Sequence, residues 1–586
     1  MPLFETARRA RGWPVAFALS GLLACSTPPP APPVVRAEPA PRPVASVPAA
    51  RPAPRAKPAA ASAPAAASAP ATPYSAAVAA RFPDPGVAYR TPAFEPGHRG
   101  FTSNAELQAL LRSLVREPAP GAGGTTVKLL ALGQSQAGVP LQALLFTRLG
   151  DADPAALLRS DRPTVLLVGQ QHGDEPAGCE ALLAIAQQLA QGPLAPLLER
   201  INVLVLPRAN PDGAQVDRRD TASGIDANRD HLLLKSPEAQ AQARLIRDFR
   251  PMVMVDAHEY TVVGRTLEKF GAVERFDAML QYAMTPNLPE FIVKASEEWF
   301  RQPVLASLRR EGLTVDWYHT TSDDPKDKKV SMGGARPDTG RNVSGLTNAV
   351  SFLIETRGAG IGRLHLARRV HTHVTAMTTM LQSTAAHAAD LVKLRHYVDS
   401  EVSAQACQGE AVIDAEPTSS EYPLLMLDPV TGADKPVTVA WDSTLALRPV
   451  KTRARPCGYW LAADQADAVR RLRGLGVAVQ QVSEAGVMRA ETYRETAREL
   501  GVRQDVRGMI ADSGGVLVLQ VETVPALIDV AAGSYYVPLD QPLANLALAA
   551  LEPDTQSGYV AHRIIDSVAS VARVMAPPDV KRLGVP

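Results

Sequence analysis

The chain has 586 residues, too many for one hydrophobic core, so we expect at least two folded units with linkers. Hydrophobic residues make up 46% and charged residues 21%, which is typical of ordinary soluble folded protein. The 61 basic and 60 acidic side chains nearly cancel and aromatic residues are only 5%, so the composition gives no reason to expect a nucleic-acid partner.

The amino terminus is typical of an export signal. Three arginines precede an apolar stretch over residues 13–24, which is too short to span a bilayer but suits the apolar part of a secretory signal. The stretch ends in Leu-Leu-Ala-Cys, which resembles the lipobox of bacterial lipoproteins, where cleavage before the cysteine leaves a lipidated amino terminus. Ser26 follows, and such lipoproteins without an acidic residue there usually go to the outer membrane. We therefore expect residues 1–25 to be a signal segment and Cys25 to anchor the protein in the cell envelope.

Residues 26–73 are rich in proline and alanine and nearly lack large apolar side chains, so they are predicted to be a disordered linker. Beyond them, alternating strand and helix patterns predict an α/β domain with a largely buried sheet over residues 74–400. Its predicted strands are 127–132, 141–147, 164–168, 203–207, 252–256 and 351–354, and its predicted helices are 104–115, 176–189, 239–249 and 364–398.

Beyond residue 401 the pattern changes to short strands separated by proline and glycine turns, for example 423–427 and 437–441. One helix is predicted from a cap at Asp464 to Gly474, and a strand over residues 477–482 follows it. We expect residues 401–586 to form a separate, smaller α+β accessory domain.

The chain has four cysteines, one of which is the lipobox residue. In an oxidising envelope compartment Cys407 and Cys457 could pair and leave Cys179 as a buried thiol. Three free cysteines is the alternative, and the spacing does not decide between the two.

Four side chains with metal-binding or acid–base chemistry lie at strand ends. His172 and Glu175 follow one predicted strand and form the single His-x-x-Glu pair of the chain, while His258 lies just past a second strand and Glu355 ends a third. In open α/β sheets functional groups gather beyond the carboxyl ends of the strands. Two imidazoles and a carboxylate that leave a fourth position for water are the ligand set of a hydrolytic zinc site. A further carboxylate is then needed to take the proton from that water.

This set resembles the zinc metallocarboxypeptidase family of the pancreatic carboxypeptidase A type, which uses His-x-x-Glu, a distant histidine and a late glutamate on a strand. Two more stretches agree in order, namely Asn-Pro-Asp-Gly at residues 210–213 and Asp-Ala-Asn-Arg at residues 226–229, with Gly224 before the latter. The resemblance covers about residues 126–358. It implies a mixed sheet with helices on both faces and one zinc ion per chain.

The resemblance assigns a role to each matched position. It makes His172, Glu175 and His258 the zinc ligands, and it makes Glu355 the general base. A planar guanidinium suits bidentate contact with a substrate's free carboxylate. It assigns Arg219, with Arg218 as the alternative, to polarising the scissile carbonyl. It assigns Asn228 and Arg229 to binding the substrate carboxylate, and Asp226 to orienting a zinc-bound histidine.

The chain departs from this family in the segment before Glu355. The family presents a mobile tyrosine there, whereas this chain has no tyrosine close to Glu355 and offers Tyr318 as the candidate. Residues 333–342 are rich in turn formers and are predicted to wall the pocket. Arg341 in this loop could recognise an acidic group on the substrate, with solvent exposure or pairing with Asp338 as the alternative.

The sequence therefore predicts an envelope-anchored zinc exopeptidase that removes the carboxyl-terminal residue of a peptide, with cell-wall stem peptides as one candidate substrate. A zinc deacylase of the aspartoacylase or desuccinylase type shares the ligand set and is a second hypothesis. A non-catalytic envelope lipoprotein that binds peptide or cell-wall material is a third. The intact Glu355 argues against this third hypothesis.

Overall fold

The computed structural model describes residues 73–116, 124–510 and 515–585. The predicted signal segment ending at Cys25 lies outside these residues, and so does nearly all of the predicted linker at 26–73, so both stay predictions. Among the described residues no helix combines the length and the apolar composition that crossing a bilayer would need.

The first part of the described chain alternates strands and helices, as predicted. A capping box at Ser103 begins the second helix, because its hydroxyl accepts from the Glu106 amide and the Glu106 carboxylate accepts from the Ser103 amide. The elements are α1 Ala76–Ala79, α2 Asn104–Leu114, β1 Thr126–Gln134, β2 Pro140–Thr147, α3 Pro154–Arg159, β3 Thr164–Gly169, α4 Ala177–Gln191, β4 Asn202–Leu206, α5 Pro211–Gln215, α6 Pro237–Phe249, β5 Val253–Thr261, α7 Arg265–Phe270, β6 Ala278–Tyr282, α8 Glu290–Ala295, α9 Gln302–Arg310, β7 Val315–Trp317, β8 Thr320–Thr321, β9 Lys329–Ser331, α10 Gly340–Gly345, β10 Val350–Ala359, α11 Leu366–Ala386 and α12 Ala388–Ala404.

The central sheet has eight strands in the order β1-β2-β4-β3-β5-β10-β6-β7. The four strands β4, β3, β5 and β10 are parallel, while β2 and β6 flank them in the antiparallel direction. Every residue of β3 is buried, as expected for a strand covered on both faces. The prediction of a mixed, largely buried α/β sheet is confirmed.

Helices cover both faces of this sheet. Val165 and Leu167 of β3 pack into a core that also contains residues of α4 and α11, whereas Leu166 and Val168 pack into a second core with residues of α6. Alternate side chains of a strand point to opposite faces, so one apolar run supplies both cores. This arrangement leaves the carboxyl ends of β3, β5 and β10 at one edge of the sheet.

The prediction of one long helix over residues 364–398 is wrong, because the segment forms two helices. The break is at His387, whose backbone has φ −99° and ψ 19° between α11 and α12. Its ring stacks on Trp299 with the ring centroids 4.7 Å apart. This tertiary contact does not show in the apolar periodicity, which runs through the break.

The region after residue 404 is rich in sheet. Its elements are β11 Glu410–Leu427, β12 Asp434–Ala454, β13 Gly458–Leu461, α13 Ala466–Gly474, β14 Gln480–Val482, β15 Gly486–Gly501, β16 Gln504–Asp505, β17 Gly508–Met509, β18 Val516–Val530, β19 Tyr535–Pro538, α14 Ala544–Leu551, β20 Val571–Val574 and β21 Arg582–Gly584. Strands β11 and β12 join the earlier strands β8 and β9 in a four-stranded sheet in the order β11-β12-β9-β8. The region also forms a seven-stranded sheet in the order β18-β15-β20-β13-β19-β14-β21 and a two-stranded hairpin of β16 and β17.

The prediction that this region has only short strands is wrong. Strands β11 and β12 have 18 and 21 residues, and much of each is exposed, so the apolar alternation reveals only the buried part. Strand β12 also pairs with β9, so residues on the two sides of position 401 share a sheet. The described residues from 73 onward group as one compact unit, and the predicted domain boundary at 401 stays a prediction.

Cys407 and Cys457 form a disulfide across 50 residues, and Cys179 is a buried free thiol. The bond joins the end of the segment after α12 to the turn before β13. Of the two alternatives that the sequence left open, the structure therefore has the paired one.

We expect the Cys407→Ala/Cys457→Ala double variant to unfold more readily than the wild type. Opening a loop of this length raises the entropy of the unfolded chain, which corresponds to a loss of about 4 kcal/mol. Chemical denaturation monitored by circular dichroism measures the difference. Reduced wild-type protein is the control and should match the variant, and equal denaturation midpoints for the oxidised wild type and the variant would contradict the prediction.

Candidate active site

The loop after β3 places His172 and Glu175 at the carboxyl edge of the sheet. Gly173 lies directly against the stretch at residues 210–213, since a Cβ on Gly173 would be only 2.0 Å from the Gly213 carbonyl carbon. Asn210 stabilises that stretch by accepting a hydrogen bond from the Gly213 amide at 2.9 Å. Because a side chain at residue 173 would overlap this stretch, glycine is required there for the two loops to pack closely enough to hold His172 in place.

Strands β5 and β10 bring the other two residues to the same edge. The strands are parallel and adjacent, and Glu355 lies opposite His258 in the register of their pairing. Both side chains are buried, with His258 fully enclosed. The positions of these two residues relative to each other are thus determined by the pairing of the strands in the sheet.

His172, Glu175 and His258 converge on one point. Their potential ligand atoms all lie within 4.8 Å of one another. The two oxygens of Glu175 lie 2.7 Å from His172 Nδ1 and 2.8 Å from His258 Nδ1, and the two Nδ1 atoms are 3.1 Å apart. Two imidazoles and one carboxylate that present electron pairs to one point fit the donor set of a zinc ion.

Each of the two histidines has a carboxylate at its other ring nitrogen. Asp226 Oδ1 is 3.2 Å from His172 Nε2, and Asp256 Oδ2 is 2.8 Å from His258 Nε2. Such carboxylates orient a metal-binding imidazole and increase its basicity. Asp226 was a sequence candidate, but Asp256 was missed. Its position two residues before His258 on a strand, and hence on the same face, could have identified it.

Arg219 lies beside the cluster. Its guanidinium donates two hydrogen bonds to Asp226 Oδ2, at 2.8 and 3.2 Å, and its Nη1 is 3.1 Å from His172 Nδ1. Arg218, the alternative from the sequence, is exposed. Of the two arginines, Arg219 is therefore the one whose charge faces the cluster.

The Glu355 carboxyl group is buried next to this cluster. Its Oε2 has no hydrogen-bond partner within the described part of the chain. Burial, followed by the negative charge of Glu175, raises the pKa of Glu355 to about 7. A carboxyl group with this pKa exchanges a proton readily near neutral pH, as a general base requires.

A cavity of about 410 Å³ opens in front of these residues. It is lined by the sequence candidates His172, Glu175, Arg219, Asn228, Arg229, Tyr318, Arg341 and Glu355, and also by Arg507.

Tyr318 and Arg341 form part of the cavity wall. The Arg341 guanidinium lies 5.7 Å from the centre of the Tyr318 ring. Arg341 is buried and donates to the carbonyl of Gly334 at 3.2 Å, so the alternative of a solvent-exposed arginine is wrong. No ion pair joins it to Asp338 within the described ranges, and its buried Nε lacks a partner there. Burial lowers the pKa of Arg341 to about 10.

Asn228 and Arg229 also line the cavity. Asn228 accepts a hydrogen bond from the Gly340 amide at 2.8 Å, and its Nδ2 is 3.2 Å from His258 Nε2. Arg229 forms an ion pair with Asp505, with Nη2 and Oδ2 2.5 Å apart. The sequence had not indicated this partner, which lies 276 residues away in the chain.

The chain is similar in sequence to known proteins. The family model described as zinc carboxypeptidase matches residues 123–264. A carboxypeptidase 2 from Trichophyton rubrum is 30% identical over 413 residues, which cover 68% of this chain and 74% of that protein. A probable carboxypeptidase 2 from Arthroderma benhamiae is 31% identical over 409 residues, with 68% and 74% covered. A solved metallo-carboxypeptidase from Pseudomonas aeruginosa is 19% identical, with a TM-score of 0.35 over 49% of this chain and 68% of that one.

Proposed function

This chain belongs to the zinc carboxypeptidase family, and on that basis we propose that it is a zinc-dependent enzyme that removes the carboxyl-terminal residue of peptides. The observation that carries the proposal is the convergence of His172, Glu175 and His258 beside the buried Glu355. In this proposal the three converging residues hold the metal. Zinc at such a site acts as a Lewis acid toward a carbonyl and lowers the pKa of water.

Glu355 is the proton carrier in this proposal. Its position opposite His258 and its pKa near 7 support both parts of the role, taking a proton from the attacking water and giving it to the leaving amine. Arg219 donates to the scissile carbonyl oxygen, where negative charge develops as water attacks. Its two hydrogen bonds to Asp226 hold the guanidinium in place before the substrate arrives.

The rest of the cavity binds the terminal residue of the substrate. Asn228, Arg229, Arg341 and Tyr318 all line it, so a peptide end would enter among cationic groups. A free terminal carboxylate is the group that such a cavity favours, because burying an arginine without a counter-ion is costly. This preference supports cleavage at the end of a peptide rather than within it.

The experiment that tests the proposal is digestion of a peptide library by zinc-loaded protein, followed by mass spectrometry. We expect stepwise loss of single carboxyl-terminal residues and no cleavage of the same peptides with an amidated carboxyl terminus. Internal cleavage would contradict the proposal. Hydrolysis of N-acyl amino acids without hydrolysis of peptides would instead support the deacylase hypothesis, and no hydrolysis of either class would support a non-catalytic binding protein.

The site of action in the cell is a separate proposal. We propose that the enzyme is exported and attached to the envelope through lipid on Cys25. The support is the signal-like sequence of residues 1–25, which lies outside the described structure. Cell-wall stem peptides are the candidate substrate that this location suggests.

A further inference from the structure

The small hairpin of β16 and β17 reaches the active-site cavity from the sheet-rich carboxyl-terminal region. Asp505 pairs with Gly508, so Val506 and Arg507 form a two-residue tip, and both residues line the cavity. The tip lies far outside residues 123–264, the part that matches the zinc carboxypeptidase family model. The tip is thus a part of the cavity wall that comes from beyond the central sheet.

Contacts on both sides hold this tip in place. Asp505 pairs with Arg229 on one side, and Arg503 donates to the Arg229 carbonyl at 2.7 Å. On the other side the Asp323 amide donates to the Arg507 carbonyl at 2.7 Å. Within the tip, Asp505 Oδ1 accepts from the Arg507 amide at 2.8 Å. The backbone of Arg507 is therefore anchored at the cavity wall.

Both terminal nitrogens of Arg229 already donate a hydrogen bond within the protein. Its Nη2 donates to Asp505, and its Nη1 donates to the Asn228 carbonyl at 2.8 Å. Asp226, Asp338 and Asp505 all contribute negative charge around Arg229 and raise its pKa. A substrate carboxylate that approaches Arg229 would therefore meet a guanidinium whose charge is already paired with Asp505.

Arg507, unlike Arg229, has no close partner for its guanidinium among the described residues. Within the described part of the chain its guanidinium makes no hydrogen bond, and its ion pairs with Asp505 and Asp226 are long, at 3.6 and 3.9 Å. The charge of Arg219, then burial and the charge of Arg229, lower the pKa of Arg507, so the cations around it repel one another. An anion between them would offset this repulsion.

We propose that Arg507 is a substrate-binding residue that receives the free carboxylate of the peptide's terminal residue. The inference rests on the proposed carboxypeptidase function and adds to it a residue from the carboxyl-terminal region. A guanidinium whose N–H groups are not engaged by the protein can bind a carboxylate with two parallel hydrogen bonds, whereas the charge of Arg229 is already paired with Asp505. In this arrangement the ion pair of Asp505 and Arg229 holds the hairpin in place and so positions Arg507.

The test compares the binding of an acid with that of its amide. Titration calorimetry measures the Kd of zinc-loaded Glu355→Gln protein, in which turnover is slow, for N-acetyl-alanyl-alanyl-leucine and for its carboxyl-terminal amide. Adding Arg507→Ala should weaken binding of the acid by about 10- to 100-fold, the range for a hydrogen bond to a charged group, and leave binding of the amide nearly unchanged. Arg507→Lys should fall between the two, because it keeps the charge and loses the planar fork.

Arg494→Ala is the matched control, because this arginine is exposed on β15 and pairs with Glu522. It should change neither Kd. Circular dichroism shows whether each variant is folded, and Arg507→Lys carries the test if Arg507→Ala is not. Unchanged binding of the acid overturns the proposal, and so does equal weakening of acid and amide, which would place Arg507 at another part of the peptide. Failure of the carboxypeptidase function would be seen separately, as intact peptides in the wild-type digest.

Discussion

Replacing Glu355 with glutamine is expected to lower kcat for peptide hydrolysis by about 10²- to 10⁴-fold, the usual contribution of a general base. Glutamine has nearly the same shape but cannot take up a proton. Because Glu355 is not one of the three converging ligands, the variant should bind zinc in the same ratio as the wild type. Steady-state kinetics and metal analysis by mass spectrometry measure the two quantities.

Glu522→Gln is the matched control for this variant, since Glu522 is an exposed glutamate on β18. It should leave kcat unchanged. A Glu355→Gln protein with undiminished kcat would show that another group carries the proton, and a variant without zinc would show that Glu355 supports the metal instead.

The pH dependence of activity should report the same carboxyl group. A base must be deprotonated to act, so activity should rise with pH as Glu355 loses its proton and should fall on the acid side. The pKa of about 7 places this limb near neutral pH, and a bound dication would move it lower because it favours the carboxylate. In Glu355→Gln the residual activity should lack this limb.

Loss of the metal is also expected to lower peptide hydrolysis strongly. Removal of zinc with a chelator should reduce peptide hydrolysis by at least about 10³-fold, since a catalytic metal contributes several kcal/mol and each 1.36 kcal/mol corresponds to a factor of ten. Adding zinc back should restore the activity. His258→Ala should have the same effect permanently, because it removes a buried ligand from the sheet.

His396→Ala is the control for the ligand variant, because His396 is exposed on α12. It should retain both zinc and activity. Metal analysis and peptide assays on the same preparations show whether the loss of zinc and the loss of activity occur together. Activity that survives in a zinc-free His258→Ala protein would exclude a metal-dependent mechanism.

Much of the fold and of the site could be predicted because the relevant signals are local. A short apolar run rich in β-branched residues, such as residues 164–168, predicts a buried strand, and strands buried on both faces are typical of parallel and mixed α/β sheets. Once His172, His258 and Glu355 were placed at the ends of such strands, their meeting at one edge followed from the geometry of a parallel sheet. The positions of these residues at the ends of predicted strands therefore indicated the candidate metal site.

The sequence by itself thus determined the mixed α/β fold and the set of side chains that converge. Three facts came only from the tertiary structure. It shows that Arg219 rather than Arg218 faces the metal-binding cluster, that Arg341 is buried, and that Asp505 pairs with Arg229. The physical reason is that these facts depend on packing between segments far apart in the chain. The sequence around an arginine does not show whether its side chain is exposed or buried. The hairpin that carries Arg507 has no apolar pattern that points toward the site, so only its docking contacts reveal it.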